Sequence, residues 1–129
     1  MIVKQISIFL ENKPGQLAAA CRALAQSNVN IATLSLADTT DFGIVRMIVD
    51  DHDKGYEVLT KAGFTVRQTE VVMVKVADRP GGMAELMEKL DKVNVDIEYS
   101  YAYALGSGDS AILIFRFSDN AKAEEALKS

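Results

Sequence analysis

The amino-acid sequence predicts an α+β fold in which one β-α-β-β-α-β unit occurs twice, the second copy lacking its last strand. Three observations carry this reading. Asn12-Lys13-Pro14-Gly15-Gln16-Leu17 returns 66 residues later as Asp78-Arg79-Pro80-Gly81-Gly82-Met83. The same spacing carries Leu24 onto Leu90 and Val29-Asn30-Ile31 onto Val95-Asp96-Ile97 without a gap. Arg46 to Asp51 then aligns with Ile114 to Asp119 at a spacing of 68, which places a two-residue insertion around Gly106-Ser107-Gly108-Asp109. A turn between strands accepts such an insertion at least cost.

The elements follow in order, each read twice. Lys4 to Leu10 alternates, with Ile6, Ile8 and Leu10 on one face, and Val71 to Val76 is its β-branched counterpart; both are predicted strands. Leu17, Ala20, Cys21 and Leu24 fall at helical spacing, matched by Met83, Leu86, Met87 and Leu90, so an amphipathic helix is expected after each Pro-Gly pair. Asn30 to Ala37 and Asp96 to Ala104 are second strands, and Gly43 to Val49 and Ala111 to Phe117 third strands. Short helices follow over Asp53 to Ala62 and Ala121 to Lys128. Gly63 is positioned as a helix C-cap, and Phe64 to Arg67 reads as a fourth strand leading into the second copy.

This order is the ferredoxin-like split βαβ arrangement, an antiparallel sheet with both helices on one face. Domains of residues 1–69 and 70–129 are expected, joined near Gln68 to Glu70. Units this small have a marginal buried fraction, so the two are expected to pack on each other. The second copy ends before any equivalent of Phe64 to Arg67, which leaves three strands or an edge covered from elsewhere.

Composition narrows the function classes. Fourteen Lys and Arg against eighteen Asp and Glu give a net charge of -4, the wrong balance for gripping nucleic-acid phosphates. Mean hydropathy is +0.08, and no apolar run approaches the roughly 20 residues that cross a bilayer. The N-terminus has no secretory pattern, so a cytoplasmic location is expected. One cysteine, Cys21, lies among apolar helix positions and reads as a buried thiol.

The Pro-Gly loop carries the local chemistry. Pro14 and Pro80 suit a first helical turn, and Asn12 or Asp78 is placed to accept from early helix amides. Gly15, Gly81 and Gly82 allow a ligand or another backbone to come close. Unpaired amides at a helix start attract carboxylate, and oxygens of Asn12, Asn30, Asp78 or Asp96 would take an ammonium, so an α-amino acid matches the place.

The strand, Glu11-Asn12-Lys13-Pro14-Gly15-Gln16-Leu17, the amphipathic helix and then Asn28-Val29-Asn30-Ile31 together resemble the ACT domain, a regulatory module of amino-acid biosynthetic enzymes. Asp78 to Met83 with Asn94-Val95-Asp96-Ile97 resembles it again, so the likeness covers almost the whole chain as a free-standing tandem pair. The resemblance implies non-catalytic, allosteric binding of an amino acid at interfaces between paired modules, without a cofactor. In serine-binding members asparagines of the two motifs touch the ligand, and these match Asn12 and Asn30. With the Pro-Gly loops and strand starts, the expected binding residues are Asn12, Pro14, Gly15, Gln16, Asn30 and Ile31, with Asp78, Gly81, Gly82, Asp96 and Ile97 in the second copy. Serine binders of the family add a histidine two residues before the first asparagine, where this chain has Leu10. The aspartates of the second copy suit a cation or ammonium better than a carboxylate.

Other readings are weaker. His52, in a run of aspartates, reads as a solvated residue, and no metal site is expected. Tyr99, Tyr101 and Tyr103 share a strand face, for packing, a subunit contact or a ligand wall. RNA binding lacks the paired aromatics and basic surface, and metal transport lacks a second cysteine. A small hydrolase of this fold needs an anion-binding arginine, for which only Arg79 is in place. A protein-interaction module without a small ligand remains the main alternative. Ile44 and Ile48, and likewise Ile112 and Ile114, make the far sheet face apolar, which predicts a homodimer through sheet faces or an edge of the second copy.

Overall fold

Alternation and helical spacing place the elements as the repeat requires. The computed structural model describes residues 1–11, 13–38, 42–103 and 108–128. The elements are β1 (Ile2–Glu11), α1 (Gln16–Gln26), β2 (Ile31–Asp38), β3 (Phe42–Val49), α2 (His52–Lys61), β4 (Thr65–Ala77), α3 (Gly82–Asp91), β5 (Ile97–Ala102), β6 (Ser110–Phe117) and α4 (Asn120–Lys128). They form two compact units, Lys4–Thr69 and Met1–Val3 with Glu70–Ser129.

In the Lys4–Thr69 unit the strand order is β2-β3-β1-β4. β3 pairs antiparallel with β1, Ile8 opposite Val45, and with β2, Leu36 opposite Val45. Ile6, Ile8 and Leu10 of β1 and Val45, Met47 and Val49 of β3 bury against Ala20 and Leu24 of α1 and Leu59 of α2. Alternation thus puts every second residue of two central strands into one core. α1 ends on Asn28 at φ 59, with Asn28 N–H donating to Ala25 and Val29 N–H to Leu24. That is a Schellman cap. α2 ends the same way on Gly63, φ 94, as its sequence position indicates.

The other unit repeats the plan, with β4-β6-β5 in order and Val72, Val74, Val76, Leu86, Leu90, Phe115 and Phe117 forming the core. Phe115 and Phe117, two apart on one strand face, stack at 5.2 Å between centroids. The repeat extends to caps: Asp51 accepts from Lys54 N–H and Asp119 from Lys122 N–H.

The place of the missing fourth strand is taken by the N-terminus. Met73 N–H donates to the Met1 carbonyl at 2.8 Å and the Met1 ammonium to the Met73 carbonyl at 3.1 Å. Such reciprocal bonds mark an antiparallel pair. Ile2 packs onto the second core, and the Met1 ammonium lies 3.0 Å from Glu124 Oε2. β1 therefore begins earlier than the expected Lys4.

Several expectations need correction. Ile48 and Ile114, read as exposed on the far sheet face, are 8% and 0% exposed, and Ile44 and Ile112 are half-buried. The sheet-face argument for a dimer falls with them. Met83, expected inside, is 43% exposed, because the buried position at the start of α3 is Gly82. Cys21 is half-buried. His52 is not solvated: both ring nitrogens are buried without a hydrogen-bond partner among the described residues.

Candidate functional site

The Pro-Gly pairs form turns ahead of the helices rather than first helical turns. Gly15 (φ 88, ψ -9) and Gly81 (φ 89, ψ -12) are left-handed N-caps, and among the described residues no side chain caps either helix. Proline followed by a glycine with these angles is the corner of a type II turn, and Gly82 N–H closes it onto the Arg79 carbonyl at 3.0 Å. Asp78 does not cap α3 as expected; its backbone N–H donates to the Asp109 carbonyl, and its side chain is exposed. Asn12 lies outside the described residues, as does the start of the insertion before Gly108.

The two loops differ. A Cβ on Gly82 would sit 2.1 Å from the Ala77 carbonyl oxygen, so the second loop is closed tightly on its own strand. Arg79 makes a two-pronged salt bridge to Glu85 at 2.9 and 3.0 Å and is already engaged. In the first loop Gln16 stands where Gly82 does, and Lys13 Nζ meets Glu11 Oε2 at 2.7 Å. The hydrogen bond from Lys13, then its charge, holds the Glu11 carboxyl below the usual glutamate range and raises the Lys13 ammonium. A small cleft of about 100 Å³ opens here between Gln16, Leu17, Leu36 and Gly43. Leu10 is 5% exposed and belongs to the core.

The starts of the second strands are built alike in both units. Asn30 N–H donates to Asp50 Oδ1 at 2.9 Å and Asp50 N–H to the Asn30 carbonyl. Asp96 N–H donates to Ser118 Oγ at 3.1 Å and Ser118 N–H returns to the Asp96 carbonyl. The exposed side chains of Asn30 and Asp96 carry no hydrogen bond among the described residues, while Ile31 is half-buried and Ile97 is 39% exposed.

Register separates these starts from the loops. Glu11 pairs with Phe42 and Ile31 with Val49, the two ends of β3, about 24 Å apart at strand rise. Ala77 pairs with Ser110 and Ile97 with Phe117, the same separation in the other unit. Pro14, Gly15 and Gln16 therefore stand at one end of their unit and Asn30 and Ile31 at the other. Asp78, Gly81 and Gly82 are separated in the same way from Asp96 and Ile97.

Reading by repeats missed residues that one copy alone carries. Phe9 and Phe42, 37% and 55% exposed, flank Glu11, yet at the spacing of 66 Phe9 and Glu11 fall opposite Lys75 and Ala77. Asn28 and Asn94 were legible as a pair; both take positive φ, 59° and 54°. Tyr99, Tyr101 and Tyr103 are half-buried, Tyr99 opposite Arg116, which donates to Glu98 at 2.7 Å. Among the described residues no His, Cys, Asp and Glu group could hold a metal, and no helix is long and apolar enough to cross a membrane.

The fold and its duplicated loops define a tandem pair of ferredoxin-like modules, each with a Pro-Gly turn between its first strand and first helix. The chain belongs to the ACT domain pair family, whose model matches residues 1–128. It is similar to protein BT0572 from Bacteroides thetaiotaomicron, with 40% identity, TM-score 0.93, and 99% of this chain and 88% of that one covered. Its fold is also that of the regulatory subunit of aspartate kinase from Thermus thermophilus, at 16% identity and TM-score 0.71 over 99% and 93% of the two chains. The corresponding subunit from Thermus flavus matches at 14% identity and TM-score 0.67 over 99% and 94%. No curated protein matches.

Proposed function

We propose that this chain is a non-catalytic regulatory protein that binds an amino acid and works as a homodimer. The single observation that carries the reading is the separation of the two motifs, about 24 Å within each unit by strand rise. A ligand held by both must sit where the loop end of a module in one copy of the chain meets the strand-start end of a module in a second copy. There its carboxylate would take the amides around Gly15 and Gln16, and its ammonium the free carboxamide oxygen of Asn30 or the carboxylate of Asp96.

A specific edge supports the dimer. β2 is the outer strand of its unit, and Leu34 and Leu36 on it are 36% and 54% exposed. An open, apolar strand edge favours pairing with another chain. Two β2 strands running antiparallel would bring the Gln16 end of one copy to the Asn30 end of the other. Light scattering is expected to give about twice the 14.0 kDa of one chain; a single-chain mass removes this reading of the dimer. Screening the amino acids by thermal shift should find a saturable ligand. Asn30→Ala should then weaken it by about 1.5–3 kcal/mol, the loss of one hydrogen bond to a charged group. Unchanged affinity would move the site elsewhere, and no shift with any amino acid would favour a pure interaction module.

A further inference from the structure

The first unit carries a second cleft that the repeat does not explain. It has a volume of about 240 Å³, and Phe9, Phe42 and Phe64 line it together with Glu11 and Gln16. That is below the range of pockets for drug-sized ligands and suits a small metabolite. The other unit has no equivalent chemistry, since Lys75, Ala77 and Gly82 replace Phe9, Glu11 and Gln16 at the spacing of 66.

We propose that this cleft binds a small organic ammonium with a flat apolar body, the ammonium on Glu11 and the body against Phe9 and Phe42. Two contacts already present show both halves of that recognition. Glu11 holds an alkylammonium, that of Lys13, at 2.7 Å. Phe9 holds a cation near its ring, the Arg67 guanidinium 5.7 Å from the centroid. Aromatic rings attract cations through their quadrupole, and rings grouped with a carboxylate select ammonium over neutral or anionic groups. The Lys13–Glu11 pair is exposed on both sides, at 68% and 58%, so water screens it and a ligand can exchange with it. Gln16 supplies a second acceptor through its carboxamide oxygen. The site adjoins the proposed amino-acid site at Gln16 but does not use Asn30, which stands at the far end of the unit.

The test is calorimetric titration of the full chain with 2-phenylethylamine, and with 3-phenylpropionate as the charge-reversed analogue. Saturable binding of the amine is expected in the millimolar range, with none of the acid. Glu11→Gln and Phe42→Ala, both at exposed positions, should each weaken it by about 5- to 30-fold, the reach of a partly desolvated cation–π or charged contact. Lys13→Ala should strengthen it by removing the internal competitor. Asn30→Ala, which the amino-acid site requires, should leave it unchanged. Equal binding of the acid, no saturation by the amine, insensitivity to both Glu11→Gln and Phe42→Ala, or a loss in Asn30→Ala would each overturn the proposal.

Discussion

Gly82→Ala should be the most damaging alanine substitution among the described glycines, lowering stability by about 2–3 kcal/mol, the upper part of the range for overpacking. The new methyl would stand 2.1 Å from the Ala77 carbonyl oxygen. This neighbour is backbone at the end of β4, not the tip of a side chain, so relief requires α3 to move off the strand. Helix propensity works the other way by about 1 kcal/mol and is too small to compensate. Gly81→Ala is a graded comparison: among the described residues only Arg79 Nη1 lies within 4 Å of a Cβ there, at 3.9 Å, but φ is 89. Its expected cost is the left-handed penalty of about 1–2 kcal/mol. Gln16→Ala, at the equivalent first-loop position, should stay within about 0.5 kcal/mol. Urea unfolding of the three variants checks the order; Gly82→Ala melting with the parent would refute the closed second loop.

The same loop shows where the sequence was legible and where it was not. Period-two alternation in Ile6, Ile8 and Leu10, and helical spacing in Ala20 and Leu24, placed these residues in the core, where they are 5% exposed or less. Reading two copies at once strengthened each assignment. Proline, however, has the same φ at the start of a helix as at the first corner of a type II turn. Only the glycine after it separates the two, and Gly15 and Gly81 at φ 88 and 89 decide for the turn. Ile48 and Ile114 were misread because apolar residues on both faces of a strand fit burial on both faces as well as an exposed patch. The sequence singles out the loop and strand-start residues one by one as candidates, but their separation comes from the register of β3 and β6, which no local pattern encodes. The cleft of Phe9, Phe42 and Glu11 was invisible for the opposite reason: a search for agreement between copies discards what one copy has alone.

Removing Met1–Val3 should destabilise the Glu70–Ser129 unit by about 3 kcal/mol. Two backbone hydrogen bonds to Met73 would be lost, each about 1 kcal/mol net. Ile2, half-buried against the second core, adds on the order of 1–2 kcal/mol from the apolar surface that it covers. An uncovered β4 edge is also a template for pairing between chains. The same device has a pH arm. The hydrogen bond from the Met1 ammonium holds the Glu124 carboxyl below its ordinary value, against a smaller opposing effect of burial. A depressed carboxyl pKa stabilises fully above the unfolded value and loses that contribution as pH falls through the folded one. The N-terminal strand should therefore loosen in acid, below the usual glutamate range, and Glu124→Gln should blunt that response. Hydrogen exchange at the Met73 amide, which donates to the Met1 carbonyl, reads the docking directly. Protection should drop in the truncated chain and in Ile2→Asp, and it should fall with acid in the parent more steeply than in Glu124→Gln. Full protection of Met73 without residues 1–3 would mean that the second unit closes its edge by other means, and the N-terminus would then be a passenger on β4 rather than its missing strand.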